Sequence, residues 1–200
     1  HSLKLSGMAE ALQQQREQPN TYADLSFEER LAQLVSAEVT YRDNRRLTRL
    51  LRAAKLKLSA TMSEIDYAHQ RGLMKSIMAS LSAGDWLTHY QNLLITGPCG
   101  SGKRYIACAL GHHACLQGHS VRYFRTNRLL DAMSIARTDG SFLRLLKQLV
   151  KTELIILDDF GLEPLKQTQR NDLLEIMDDR YGHQSTLVLS QLPTSEWHTS

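Results

Sequence analysis

Residues 92–104 combine a short apolar run with a glycine-rich turn, and this combination constrains the fold more than any other part of the chain. The run 92–96, Asn-Leu-Leu-Ile-Thr, has the length and composition of a strand. Residues 97–104 follow it as Gly-Pro-Cys-Gly-Ser-Gly-Lys-Arg, and residues 103–117 have the pattern of a helix. A strand, a glycine turn and a helix in this order predict an α/β unit whose backbone N–H groups and helix N-terminus surround a polyphosphate.

The glycine turn matches the phosphate-binding pattern G-x-x-x-x-G-K-[ST] at every position except the last. We therefore predict a nucleotide site formed by Gly97, Pro98, Cys99, Gly100, Ser101, Gly102, Lys103 and Arg104. Arg104 replaces the hydroxyl that would complete a Mg²⁺ coordination shell. Because its guanidinium could contact a phosphate instead, we expect nucleotide binding with slow or absent hydrolysis.

Two later strands end in polar side chains that suit the same chemistry. Leu154-Ile155-Ile156-Leu157 predicts a buried parallel strand, and Asp158 and Asp159 follow it directly. In nucleotide hydrolases the first such acid holds Mg²⁺ and the second polarises the attacking water, so we assign these roles to Asp158 and Asp159. A third apolar run, 185–191, ends in Gln191, which we predict to sense the γ-phosphate and to orient the water.

Strand and helix patterns alternate from residue 92 onwards, whereas the part before it has only helical patterns. This order predicts a parallel α/β sheet flanked by helices, with ligands at the carboxyl ends of the strands. The sequence Ser26-Phe27-Glu28-Glu29 is a capping box that predicts the start of a long helix. We predict a small all-α N-terminal domain over residues 1–72 and a nucleotide-binding domain over residues 73–200.

The positive charge of the chain is concentrated between residues 41 and 57. This segment holds seven basic residues against one acid, although the net charge of the whole chain is only +3. Helical spacing brings the following arginines to one face: Arg42, Arg45, Arg46, Arg49 and Arg52. A charged helix face is often merely solvated. Here so many like charges favour the binding of a polyanion, and we predict contact with a DNA or RNA backbone rather than with a membrane surface.

Cysteine usage and hydropathy indicate the cellular compartment of the protein, and the cysteine positions also raise the question of a metal site. Cys108, His112 and Cys115 share one face of the predicted helix 103–117, which allows a metal site but more simply packs the helix onto the sheet. Three cysteines without a disulfide-like framework fit a reducing compartment. The sequence contains no apolar stretch of the roughly 20 residues that a membrane span needs. We expect a cytoplasmic protein that does not enter the membrane.

Several segments together resemble the IstB family, the helper ATPases of insertion-sequence transposition, which are similar to DnaC-type helicase loaders. The resemblance rests on segments spread over essentially the whole chain: 3–8 (LKLSGM), 25–31 (LSFEERL), 41–47 (YRDNRRL), 65–67 (IDY), 84–86 (GDW), 157–162 (LDDFGL) and 190–193 (SQLP).

This resemblance implies an AAA+ fold that binds ATP and Mg²⁺. It further implies a homo-oligomer promoted by ATP and DNA, binding to double-stranded target DNA, and recruitment and stimulation of a transposase. By position, residues 97–103 would hold the phosphates, Asp158 the metal and Asp159 the water, while Gln191 would be the first sensor. The basic helix would belong to the DNA-contacting domain. Members of the family also carry a further strand and a small helical lid with an arginine finger and a second sensor, which by position would lie beyond residue 200.

Three other functions share some of these features. A replication helicase loader of the DnaC type would bind a helicase and prefer single-stranded DNA. A small-molecule kinase would turn over ATP with an acceptor and would lack the arginine-rich helix. A DNA-binding module without enzymatic activity would bind DNA equally with and without ATP. The N-terminal segments favour the transposition helper, for which nucleotide-dependent assembly on duplex DNA is the distinguishing expectation.

Overall fold

A computed structural model describes residues 3–67 and 73–192 of the chain. Its backbone contacts form two compact units, His1–Arg49 and Leu50–Ser200. The domain boundary predicted after residue 72 falls on residues 68–72, which lie outside the described part, so the assignment of residues 1–72 to a DNA-contacting domain stays a prediction. Within the described residues, no helix is both long enough and apolar enough to cross a bilayer.

The first unit is helical, as predicted. Helix α1 spans Ser6–Glu17, a short 3-10 helix spans Pro19–Tyr22, and α2 begins in this unit and spans Phe27–Ala54. The predicted capping box is present at the start of α2. Ser26 N donates to Glu29 Oε2 at 2.7 Å, and Glu29 N donates to Ser26 Oγ at 3.2 Å. Two backbone N–H groups at the helix start are thereby satisfied.

Helices α1 and α2 approach closely at Gly7. A Cβ atom at this position would lie 2.6 Å from Tyr41 Cβ and 2.7 Å from the Ala37 carbonyl oxygen, so only glycine permits the contact. Beside it, the buried Glu38 carboxylate accepts a hydrogen bond from Met8 N at 3.1 Å. A carboxylate at this helix N-terminus satisfies a free N–H group and complements the helix dipole.

The second unit contains a four-stranded parallel sheet. Its strands are β1 (Leu93–Thr96), β2 (Val121–Arg125), β3 (Leu154–Phe160) and β4 (Ser185–Ser190). Its helices are α3 (Lys75–Ala83), α4 (Asp85–Thr88), α5 (Lys103–Leu116), α6 (Thr126–Asp139), α7 (Phe142–Lys151) and α8 (Gln167–Arg180), with a 3-10 turn at Met62–Glu64. The strand order is β1-β4-β3-β2, and every neighbouring pair is parallel. This confirms the predicted fold class.

Helices cover β3 on both of its faces, as its unbroken apolar run predicts. Ile155 and Leu157 belong to a core that α6, α7 and α8 complete, including Met133, Leu146 and Ile176. Helix α5 packs on the other face, where its residues Cys108 and Cys115 are fully buried. Burial raises the pKa of both thiols, to about 11 for Cys115. This is the packing role that the spacing of Cys108, His112 and Cys115 allowed.

The strand β3 contains an irregularity at the carboxyl edge of the sheet. Leu157 pairs with Val188, but Phe160 pairs with Ser190, so β3 uses one more residue than β4 over the same distance. Asp158 and Asp159 occupy this bulge, and Asp159 has a left-handed backbone with φ 59°. Bulges re-aim side chains at sheet edges. Because of this bulge, the carboxylates of Asp158 and Asp159 depart from the regular alternation by which consecutive side chains of a strand point to opposite faces of the sheet.

Arg180, the last residue of α8, is a buried charge that ties the sheet to its helices. Only 1% of the residue is exposed, and its guanidinium donates to backbone carbonyls of Leu149 and Thr152, each at 2.6 Å, and of Ser185. Burial lowers the pKa of Arg180 to about 10, so it remains charged at neutral pH. The guanidinium thus takes the place of water as the hydrogen-bond donor to carbonyl groups at the end of α7 and the start of β4.

We predict that Arg180→Ala lowers the free energy of unfolding by about 3 kcal/mol or more, because it leaves several buried carbonyl groups without a donor and opens a cavity. Urea denaturation followed by circular dichroism measures the change. The control is Arg128→Ala at an exposed arginine of α6, which should alter the unfolding free energy by no more than about 0.5 kcal/mol. Equal stability of the two variants would contradict the role assigned to Arg180.

Candidate nucleotide-binding site

The loop of residues 97–102 connects β1 to α5, as the sequence predicts. Gly102 precedes the first residue of α5 and has φ 89°, a left-handed conformation that disfavours residues with a side chain. The loop can therefore turn sharply and lead its backbone N–H groups into the helix N-terminus. The first turn of α5 carries Lys103 and Arg104, so side-chain charge adds to the positive end of the helix dipole.

Lys103 reaches back over the loop that precedes it. Its Nζ donates to the carbonyl oxygens of Gly97 at 2.5 Å and Pro98 at 2.7 Å. These contacts fix the ammonium group at the loop, where a phosphate-binding lysine neutralises the terminal phosphate oxygens.

Arg104 connects the N-terminus of α5 to the carboxyl end of β3. Its Nε donates to Asp158 Oδ2 at 2.6 Å, and its Nη2 lies 3.2 Å from both carboxylate oxygens of Asp159. The hydrogen bond with Asp158 raises the pKa of Arg104 further above its ordinary value, so the group is a permanent cation. The guanidinium therefore faces the acidic pair, whereas the sequence suggested a contact with a phosphate.

Asp158 is buried, and both of its carboxylate oxygens accept hydrogen bonds. Oδ2 accepts from Arg104 and from the hydroxyl of Tyr123, and Oδ1 accepts from Asp159 N at 2.9 Å. Burial and the bond with Asp158 raise the pKa of the Tyr123 hydroxyl, so it stays protonated and donates. Three donors thus hold the carboxylate that we predict as the metal ligand.

Asp159 lies between two arginines. Besides Arg104, Arg125 at the end of β2 places its Nε 3.8 Å from Asp159 Oδ2. The left-handed backbone of Asp159 directs its side chain towards these cations. A carboxylate paired in this way is poorly placed to polarise a water molecule, and its predicted catalytic role stays a prediction.

A cavity of about 300 Å³ brings most of the predicted site residues together. Its lining comprises Leu58, Cys99, Gly100, Gly102, Lys103, Arg104, Tyr105, Asp158, Asp159, Leu189, Ser190 and Gln191. Gly97, Pro98 and Ser101 complete the loop around Lys103. Gln191 follows β4 at the wall of this cavity, which is compatible with its predicted sensor position.

Sequence reasoning missed two residues of the site, Tyr123 and Arg125. They contact Asp158 and Asp159 from β2, the edge strand next to β3. Their spacing of two residues at the end of a strand puts them on one face of the sheet. The signal available in the sequence was the pair Tyr123 and Arg125, two hydrogen-bonding side chains on the same face of the strand just before it ends.

The predicted DNA-contacting arginines all lie exposed on α2. Arg42, Arg45, Arg46 and Arg49 belong to the first unit and Arg52 to the second. Arg42 forms an ion pair with Glu38 at 2.7 Å, and the guanidinium of Arg45 lies 5.8 Å from the centre of the Tyr41 ring. These contacts leave most of the Arg42 side chain exposed, and the contact of the five arginines with DNA stays a prediction.

This part of the chain has the arrangement of a P-loop nucleotide-binding domain: a strand, a loop and a helix, together with the acids of β3 and the polar end of β4. Comparison with known proteins then assigns the chain more closely. The sequence profile of the family described as "IstB-like ATP binding protein" matches residues 1–200. The chain belongs to this family, which confirms the resemblance drawn from its sequence segments.

Similar proteins support the same assignment. The chain is 50% identical over 196 residues to a protein named as ATP-binding in insertion sequence IS1162 of Pseudomonas fluorescens, covering 98% of this chain and 84% of that protein. It is 44% identical over 198 residues to an insertion-sequence protein, y4pL, of Sinorhizobium fredii, also named as ATP-binding, covering 99% and 80%.

Solved structures share the fold. The DnaC helicase loader matches with a TM-score of 0.59 and 19% identity, covering 70% of this chain and 82% of that one. DnaA from Aquifex aeolicus, bound to AMPPCP, matches with a TM-score of 0.61 and 19% identity, covering 68% and 43%. These neighbours confirm the predicted fold, a parallel sheet flanked by helices.

We predict that the unaltered chain hydrolyses ATP slowly and that Arg104→Ser raises the turnover by about tenfold, which corresponds to about 1.4 kcal/mol of transition-state stabilisation. The substitution releases both acids from the guanidinium and supplies the hydroxyl of the usual pattern. Phosphate release at saturating ATP and Mg²⁺ measures the rate. The matched control is Arg128→Ser, which also removes one positive charge. Equal, rapid turnover in the unaltered chain and Arg104→Ser would show that Arg104 does not restrain hydrolysis.

Proposed function

We propose that this chain is the ATP-binding helper of an insertion-sequence transposition reaction. In this function it assembles as a homo-oligomer on double-stranded DNA and recruits and stimulates a transposase in the cytoplasm. The observation that carries the proposal is the cavity that unites Lys103, the acids of β3 and Gln191, in a chain of the IstB-like family. ATP is the proposed trigger of assembly.

The arginines of α2 supply the proposed DNA contact. Arg45, Arg46 and Arg49 are exposed within two turns of one helix, a density of like charge that a phosphate backbone would neutralise. Contacts of this kind go to phosphates and carry no sequence information. The proposed DNA binding is therefore sensitive to salt and indifferent to base sequence.

A replication helicase loader of the DnaC type is the second candidate, since the DnaC structure shares this fold. At 19% identity that likeness extends to the fold alone. By contrast, the relatives at 50% and 44% identity are named as insertion-sequence proteins and match nearly the whole chain. This difference in similarity favours the transposition helper.

Sedimentation with duplex DNA tests the proposal. We expect large assemblies with ATP and duplex DNA, and much smaller species when either is left out. Lys103→Ala should abolish the effect of ATP, because the phosphates lose their neutralising cation. Assembly on single-stranded DNA alone would instead favour the helicase loader, and ATP-independent binding by a monomer would contradict both functions.

The arginine contact is tested in the same assay with two variants of equal charge. Arg45, Arg46 and Arg49 are replaced by Ala in one, and the exposed Arg16, Arg128 and Arg144 in the other. We plot the logarithm of the DNA-binding constant against the logarithm of the salt concentration. If each of the first three arginines contacts one phosphate, the negative slope should become less steep by about 0.9 per arginine removed, hence by about 2.7 in that variant. An equal change in the control variant would show only an effect of net charge.

A further inference from the structure

Arg104 occupies the position at which the phosphate-binding pattern supplies a hydroxyl to Mg²⁺. Mg²⁺ requires near-ideal octahedral oxygen coordination at about 2.0–2.1 Å. The carboxylate oxygens that line this site belong to Asp158 and Asp159, and these already accept hydrogen bonds from Arg104, Tyr123 and a backbone N–H group. The residues present do not fit Mg²⁺.

We propose that the Arg104 guanidinium replaces Mg²⁺ as the resident cation of this site, so that the chain binds metal-free nucleoside triphosphate. The inference rests on the proposed ATP-binding function and deepens it. It specifies the form of the nucleotide that the site takes, which the family resemblance gave as ATP with Mg²⁺.

The geometry of Arg104 suits this role. A guanidinium presents its donors in a rigid plane, and here that plane engages Asp158 through Nε and Asp159 through Nη2. The two acids are therefore joined by a single cation, as a bridging metal ion would join them. Because Arg104 follows Lys103 directly at the start of α5, this cation lies beside the loop that receives the phosphates.

The charge balance of the site points the same way. Three cations, Lys103, Arg104 and Arg125, surround two carboxylates, which leaves an excess of one positive charge for an anionic ligand. A divalent cation at the same acids would lie within a few ångströms of the fixed Arg104 guanidinium, and this repulsion opposes its binding. A metal-free triphosphate carries more negative charge than its Mg²⁺ complex and complements the site better.

Displacement of Arg104 by a metal ion would disrupt a buried network. Asp158 is 4% exposed, and its bond to Arg104 Nε, at 2.6 Å, is charge-assisted. Tyr123 donates to the same carboxylate oxygen from β2, and Thr126 Oγ1 donates to the Asp158 backbone carbonyl at 2.9 Å. These bonds fix Asp158 in an orientation that serves Arg104.

Isothermal titration of the full chain with ATP, in EDTA and in excess Mg²⁺, tests the proposal. We expect the unaltered chain to bind ATP at least as tightly in EDTA as in Mg²⁺. Arg104→Ser should bind at least about tenfold more tightly in Mg²⁺ than in EDTA, because it regains a hydroxyl ligand and frees Asp158. The control Arg128→Ser, which removes one exposed positive charge of the same unit, should behave as the unaltered chain does.

A second measurement reads the metal directly and does not depend on how well the variant folds. Electron paramagnetic resonance of Mn²⁺, added with ATP to the unaltered chain, should show no Mn²⁺ held by the protein–nucleotide complex. Tight ATP binding that requires Mg²⁺, or Mn²⁺ held in the complex, would overturn the inference while leaving ATP binding intact. Failure to bind ATP in both buffers would instead refute the proposed ATP-binding function, and the inference with it.

Discussion

The ion pairs between Arg104 and the two acids of β3 are the interaction on which the rest of the nucleotide site depends. They join the first turn of α5 to the carboxyl end of β3, and so fix the phosphate-binding loop against the centre of the sheet. The bulge in β3 makes them possible, because it turns two consecutive carboxylates towards the same helix. Asp159 adopts a left-handed backbone in doing so, a strain of the kind that folds retain at functional sites.

The parts of this fold that depend on local pattern could be predicted from the sequence. Apolar runs identified β1, β3 and β4, and helical periodicity identified α5, with bounds that differ by a few residues. The loop from Gly97 to Lys103 was predictable because glycine positions and a lysine have fixed spacing there. Parallel strands then bring their carboxyl ends to one edge, so the proximity of Asp158 and Gln191 to the loop followed from the fold class.

The contacts that decide the chemistry depend on tertiary register and could not be predicted in the same way. Arg104 and Asp158 are 54 residues apart, and no periodicity shows that their side chains meet. Tyr123 and Arg125 join the site because β2 is the neighbour of β3, and this strand order is a property of the whole sheet. Arg180 resembles an ordinary charged helix end in the sequence, yet it is buried among carbonyl groups that only the packed structure brings together.

A fixed cation at the acids separates two properties that P-loop proteins usually combine. The loop N–H groups, the α5 dipole and Lys103 bind the phosphates, whereas Asp158 and Asp159 contribute to phosphate binding only by holding the loop in place through Arg104. Hydrolysis needs a metal and a water molecule oriented by these acids, and both acids are paired with arginine. On the proposed function, the nucleotide therefore acts as a ligand that stabilises an assembly on DNA, and the assembly would be released by nucleotide exchange rather than by rapid hydrolysis.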